Sequence, residues 1–285
     1  MQLLRSVESL VAWRRGAGDD LGFVPTMGAL HAGHLALVRE ARAHHHRVLA
    51  SIFVNPKQFG PHEDLARYPQ PLARDIALLR SERVDAVFAP EQSEIYPTGF
   101  SSVVEVRGSL TSRLEGALRP GHFSGVATVV TKLLSLSRPT TAFFGQKDAQ
   151  QVLVVSRVVA DLNLGCAIHV VPTVREPDGL ALSSRNVYLA QAERASAPKL
   201  YAALTDVREQ FEAGERDADV LRAAARHVLE SVAHIEIEYV SIADLADLAE
   251  LQTVGSGALV ALACRLGTTR LIDNVLLGDA RLGLG

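Results

Sequence analysis

The sequence predicts an α/β protein, and three observations carry that expectation. Apolar strand-like runs alternate with amphipathic helical stretches through the N-terminal part. The runs at residues 21–24 and 47–54 are almost unbroken, as strands buried on both faces of a parallel sheet are. After about Thr173 the texture changes to helices rich in Ala, Arg and Glu, followed by a strand of two-residue alternation. Repeated βα units argue for a parallel sheet covered by helices. The expected architecture is a Rossmann-like parallel-sheet domain over residues 1–173 and a smaller α+β domain over 174–285.

The elements follow in order. Residues 21–24 form a strand, and 34–44 a helix with Leu35, Val38 and Ala41 on one face. Residues 47–54 form the second strand. A loop rich in Pro, Gly and Asn covers 55–71, then a helix 72–81 and a short strand 85–89. Helix 125–136, strand 141–144, helix 148–161 and strand 167–171 complete the first domain. The second contains helices at 191–211 and 218–232. A strand follows with Ile235, Ile237 and Tyr239 against Glu236, Glu238 and Val240, so one face is expected in water. Two further strands are expected at 257–265 and 269–272.

Composition excludes several classes. The 285 residues allow one large domain or two, and 48% hydrophobic content supports a substantial core. A formal charge of −3, with no basic run interleaved with aromatics, gives no reason to expect nucleic acid. The N-terminus lacks the apolar core of a signal peptide, and no stretch approaches the ~20 apolar residues of a membrane span. The expectation is a cytoplasmic protein with no membrane partner. Cys166 and Cys264 lie far apart in apolar strand-like segments and read as buried, inert thiols. His44-His45-His46 reads as a helix C-terminus, since adjacent helical residues point in different directions and no partner shows ligand spacing.

The polar motifs recur where strands end, which is where parallel sheets bind ligands. Leu30-His31-Ala32-Gly33-His34 follows the first strand. A helix starting there offers free N–H groups and a positive dipole end to a phosphate, with two imidazoles as further donors. Asn55 and Gln58 offer donors and acceptors for a small polar substrate, although Asn55-Pro56 also suits a simple turn. Glu115 and Arg119 lie in a charged, Gly-containing loop that ends at His122. Gly145-Gln146-Lys147-Asp148 passes from strand to helix start. There Lys147 suits phosphate, Asp148 suits an N-cap, and Gln151 shares the first turn. Ser183-Ser184-Arg185-Asn186 suits either a phosphate clamp or a capping segment.

H-x-G-H resembles the signature of the nucleotidyl-transferring α/β superfamily. The segments Pro25-Thr26-Met27-Gly28-Ala29-Leu30-His31, Ser51-Ile52-Phe53-Val54-Asn55-Pro56, Gln58-Phe59-Gly60-Pro61, Arg119-Pro120-Gly121-His122-Phe123, Gln150-Gln151 and Ser183-Ser184-Arg185-Asn186 stand in the order of one family within it. Jointly they resemble pantothenate synthetases (pantoate–β-alanine ligases). The resemblance implies ATP-dependent joining of pantoate to β-alanine through pantoyl adenylate, releasing pyrophosphate and AMP. It implies His31, His34 and Lys147 as catalytic residues, with His34 the proton donor. ATP would also meet Pro25, Met27, Gly145, Asp148, Val174, Ser183, Ser184 and Arg185. Pantoate and β-alanine would meet Asn55, Gln58 and Gln151, with Arg119 and His122 in a flexible wall. Mg²⁺ would ride mainly on ATP oxygens, with Asp75 a candidate ligand. The C-terminal domain would act as a lid, and the chain would pair as a homodimer through its N-terminal domain.

Two residues depart from that family's pattern. Lys57 stands where a small polar residue is common, and His62 where Asn is common. A nucleotidylyltransferase shares the H-x-G-H logic but wants basic residues for an acceptor phosphate, and a non-catalytic nucleotide binder would bind ATP without turnover.

Overall fold

A computed structural model describes residues 1–61 and 63–283, so the departure at His62 lies outside the described residues. Two compact units emerge. The first comprises residues 1–145 and 150–171 with Gly283, and the second 146–149 and 172–282.

The first unit is built on β1 (Gln2–Leu4), β2 (Leu21–Thr26), β3 (Arg47–Ile52), β4 (Ala86–Phe88), β5 (Thr141–Gly145) and β6 (Ala167–Val171). They form one sheet in the order β1-β4-β3-β2-β5-β6, every neighbouring pair parallel. The expected α/β class and Rossmann-like sheet are thus found. Chain order reverses between β2 and β5, the switch point at which open parallel sheets take their ligands.

Helices α1 (Val7–Arg15), α2 (Ala32–His44) and α3 (Leu72–Ser81) lie along this part of the chain, and α2 contributes Leu37, Val38 and Ala41 to the core formed with β2 and β3. Short helices α4 (Gln92–Ile95), α5 (Ser109–Ser112) and α6 (Glu115–Leu118) lead into α7 (His122–Ser137), and α8 (Ala149–Asp161) joins β5 to β6.

The second unit carries α9 (Gln191–Ser196), α10 (Lys199–Glu212) and α11 (Ala218–Glu230), then β7 (Ile235–Ala243), β8 (Gly257–Leu266) and β9 (Thr269–Gly278). The three strands form an antiparallel sheet in chain order, with β7 and β9 as edges. Leu204, Val207, Leu221, Leu229, Val260 and Leu262 lie in the core of this unit. This is the smaller α+β domain expected.

Several expectations need correction. β1 and α1 add to the elements expected from sequence; Ser6 starts α1 by accepting the Ser9 N–H at 3.1 Å. The helix expected over 191–211 is two, α9 and α10, with Pro198 capping the second. Proline has no N–H to continue the first. The strand expected over 269–272 runs on to Gly278. The alternation of β7 stops at a register shift between Ile237 and Tyr239, and residues 240–243 are all buried. Glu238 there accepts from Arg265 at 2.8 Å and Arg270 at 2.6 Å. No helix among the described residues is long and apolar enough to cross a membrane.

Candidate active site

In the first unit the site is built on the turn after β2. The Thr26 hydroxyl donates to the Ser51 carbonyl (2.7 Å) and accepts the Gly28 N–H (3.2 Å). Gly28 and Ala29 then take positive φ, 84° and 51°. Their turn aims consecutive N–H groups at one acceptor: Asp75 of α3, 1% exposed, accepts from Ala29 N–H at 2.8 Å and Leu30 N–H at 2.9 Å. Each carboxylate oxygen thereby accepts one backbone N–H. Asp75 braces the turn. Among the described residues no group of three or more His, Cys, Asp or Glu could hold a metal ion. The described residues form no such cage for Mg²⁺.

His31 caps α2. Its Nδ1 accepts the Gly33 N–H at 3.2 Å, and its own N–H donates to His34 Nδ1 at 3.3 Å. The rings lie 4.1 Å apart between centroids. With both Nδ1 atoms accepting, the neutral form of each ring carries its proton at Nε2. Pro25 lies within β2 and Gly145 closes β5, the two strands flanking the switch point.

The loop after β3 is held by Asn55, which is buried. Its Oδ1 accepts from Tyr96 Oη (2.7 Å) and Lys57 N–H (3.3 Å); its Nδ2 donates to Gln58 Oε1 (3.0 Å) and the Gly125 carbonyl (3.1 Å). Every polar side-chain position of Asn55 is thus used by the protein, and Asn55 positions Gln58. Gln58 Nε2 donates to Met27 Sδ at 3.1 Å, tying this loop to the turn after β2. Gly125 permits the close approach of α7: a Cβ there would lie 2.2 Å from the Lys57 carbonyl oxygen.

Arg119 grips Glu63 with two bonds, 2.8 and 2.7 Å, and donates to His122 Nε2 at 3.1 Å. His122 Nδ1 donates in turn to the Gln58 carbonyl at 2.8 Å. Burial, reinforced by the Arg119 charge, pushes His122 down to about 4. These bonds tie Arg119 and His122 to Glu63 and the Gln58 backbone. Gln150 secures the loop before it, accepting the Glu115 N–H (3.0 Å) and donating to the Leu110 and Arg113 carbonyls (2.8 and 2.9 Å). Gln151, beside it, is half-buried.

In the second unit, Lys147 Nζ lies 3.8 Å from the Asp148 carboxylate. Asn274 of β9 donates to the Gln146 and Lys147 carbonyls at 3.0 and 2.9 Å. Val174 opens a hairpin that closes at Leu182, whose N–H donates to the Val174 carbonyl at 3.0 Å. Ser183 follows directly and accepts the Arg185 N–H at 3.2 Å, starting the short turn Ser184–Tyr188. Arg175 in the hairpin makes a bidentate pair with Asp273 of β9, at 2.5 and 2.9 Å.

Sequence reasoning missed Glu63, Tyr96, Asp273 and Asn274, and the bracing role of Gln150. Asp273 and Asn274 had a signal: they are adjacent polar residues inside the apolar run Leu271-Ile272-Asp273-Asn274-Val275-Leu276-Leu277. Tyr96 and Glu63 lie in irregular segments with none.

Fold and site together define an α/β enzyme whose polar groups gather at the carboxyl ends of a parallel sheet, joined to a small antiparallel domain. The family model for pantoate–β-alanine ligase matches residues 2–276. The pantothenate synthetase of Roseiflexus sp. (strain RS-1) is 56% identical over 277 residues, covering 97% of this chain and 99% of that one. The crystal structure of a Thermus thermophilus pantothenate synthetase shares 49% identity and a TM-score of 0.93 over 96% of this chain and 99% of that one. A Francisella tularensis pantoate–β-alanine ligase, described as complexed with beta-gamma ATP and β-alanine, shares 35% identity and a TM-score of 0.80 over 97% of each chain. The chain belongs to the pantoate–β-alanine ligase family and is an acid–amine ligase.

Proposed function

We propose that the chain condenses pantoate with β-alanine in two ATP-dependent steps. A pantoate carboxylate oxygen attacks the α-phosphorus of ATP, the bond to the bridging oxygen breaks, and pyrophosphate leaves. The β-alanine nitrogen then attacks the acyl carbon of the resulting mixed anhydride. The C–O bond to AMP breaks, the amide forms, and the amine proton passes to solvent.

The observation that carries this reading is the imidazole pair at the start of α2, with both Nδ1 atoms fixed by backbone N–H groups. Donors preorganised at a helix N-terminus stabilise charge as it develops on the α-phosphate and the departing pyrophosphate. Lys147 adds a point charge, and Asp148 serves the ribose. Met27 sets its backbone against the reacting phosphate. Pro25, Gly145 and Val174 line the nucleotide, while Ser183, Ser184 and Arg185 close on its terminal phosphates. Gln58 and Gln151 bind the hydroxyl and carboxylate groups of pantoate; Gln58 is held for this from both ends, by Asn55 at its amide and by His122 at its carbonyl. Mg²⁺ rides mainly on the nucleotide's own oxygens, where it offsets phosphate charge. The resemblance supports a homodimer in the cytoplasm.

The test is product analysis with ATP, pantoate and β-alanine together and each withheld. AMP and pantothenate in equal amounts, requiring all three, are expected. ADP in place of AMP, or a nucleotide joined to an acceptor, would refute the reading.

A further inference from the structure

The apolar strand β9 carries two adjacent buried polar residues, Asp273 (3% exposed) and Asn274 (2% exposed). Burying a carboxylate and an amide is costly unless every bond is returned. Packing alone would be served by apolar side chains of similar volume, so what the pair holds is informative.

Asn274 holds the turn that bears Lys147. Its Nδ2 donates to the Gln146 and Lys147 carbonyls, and its Oδ1 accepts from Gln146 Nε2 at 3.3 Å. Asp273 holds the hairpin that leads into Ser183, Ser184 and Arg185. Its two oxygens take both arms of Arg175, which also donates to the Gly179 carbonyl at 3.1 Å and lies 3.7 Å over the Tyr201 ring. At Gly179 the backbone has φ +95°, and a Cβ would fall 2.6 Å from Tyr201 Cδ1, so the hairpin tip fits this seat only as glycine. Asp273 Oδ1 accepts the Asn274 N–H at 2.8 Å, linking the two grips. As an edge strand, β9 leaves one side open within the sheet, and it touches both the 146–148 turn and the 184–188 turn.

We infer that Asp273 and Asn274 are positioning residues for the nucleotide. They register the Lys147 turn and the hairpin leading to the Ser183–Arg185 clamp on one edge strand, so that the cations of both segments keep a fixed spacing. The inference rests on the ATP reading given above. Neither residue touches the reacting atoms. Binding a polyphosphate requires several donors at once, and loosening one segment raises the ordering cost of binding.

The test compares Asn274→Leu and Arg175→Lys with Val275→Ala, a buried core residue next along β9. Calorimetric ATP affinity, the KM values for ATP and pantoate, and Tm are measured for each full-length protein. Asn274→Leu is expected to weaken ATP by about tenfold or more, the equivalent of one or two lost hydrogen bonds. The pantoate KM should stay within about twofold. Arg175→Lys keeps the charge but loses the fork, and should weaken ATP in the same direction. Val275→Ala should lower Tm with ATP affinity unchanged. If Asn274→Leu does not fold, Asn274→Ser and Arg175→Lys give the same readout. Wild-type ATP affinity in the folded variants, or an equal loss in Val275→Ala, would overturn the inference. Wild-type protein that fails to bind ATP would instead overturn the ATP reading itself.

Discussion

Replacing Asp75 with Asn separates two roles for one carboxylate. The side chain is 1% exposed and accepts two backbone N–H groups, from Ala29 and Leu30, at 2.8 and 2.9 Å. Asn keeps the shape and one acceptor but turns an NH₂ toward the second N–H. One buried donor is left unsatisfied, which costs about 1–3 kcal/mol. At about 2–4 °C per kcal/mol for a domain of this size, Tm should fall by roughly 2–12 °C. The same change loosens the turn that seats His31, so kcat should fall while the Mg²⁺ concentration for half-maximal rate stays put. The assays are thermal unfolding and initial rates across a Mg²⁺ titration. An Asp75→Asn protein with wild-type Tm and a rate restored by excess Mg²⁺ would refute the brace and make Asp75 a metal ligand.

Further changes probe other parts of the site. His31→Ala and His34→Ala should each slow AMP formation by about 10²–10³-fold, the scale of one lost preorganised donor; wild-type turnover in both would remove the pair from the chemistry. Gln58→Ala should raise the pantoate KM by about tenfold and leave the ATP KM alone, read from initial rates. Gly125→Ala should lower Tm and raise the pantoate KM, because its Cβ would lie 2.2 Å from the Lys57 carbonyl oxygen. His122 titrates near 4 when folded against an ordinary 6.5, with Arg119, Glu63 and Glu115 around it. Between those values the unfolded chain holds the proton and the folded chain does not, so stability rises with pH across the window. It is lost as pH falls from 6.5 toward 4, by up to about 3 kcal/mol. His122→Gln should flatten that slope in Tm, measured from about pH 4 to pH 7; an unchanged slope would show that His122 is not its source.

The sheet is legible in the sequence because its strands are apolar runs set between helices of 3.6-residue period. The H-x-G-H turn is legible because His31 and His34 stand directly after such a run. What escapes is long-range. Asp75 lies 45 residues from Leu30, and only the folded chain brings its carboxylate to that N–H. Asn55 reads as a substrate ligand because an amide in a loop can serve either purpose; its bonds to Tyr96 and Gly125 come from distant parts of the chain. Residues 191–211 read as one helix because their apolar period survives Pro198. The polar pair in β9 is visible as two letters in an apolar strand, but the Lys147 turn and the Arg175 hairpin that it grips are distant in sequence.

The central claim is that activation of the acid precedes arrival of the amine. Exchange of labelled pyrophosphate into ATP, with pantoate and Mg²⁺ present and β-alanine absent, tests it most directly. Pantoate-dependent exchange is expected, lost in His31→Ala and His34→Ala and followed by AMP release when β-alanine is added. No exchange from protein that makes pantothenate when all three substrates are supplied would contradict a free-standing adenylation step.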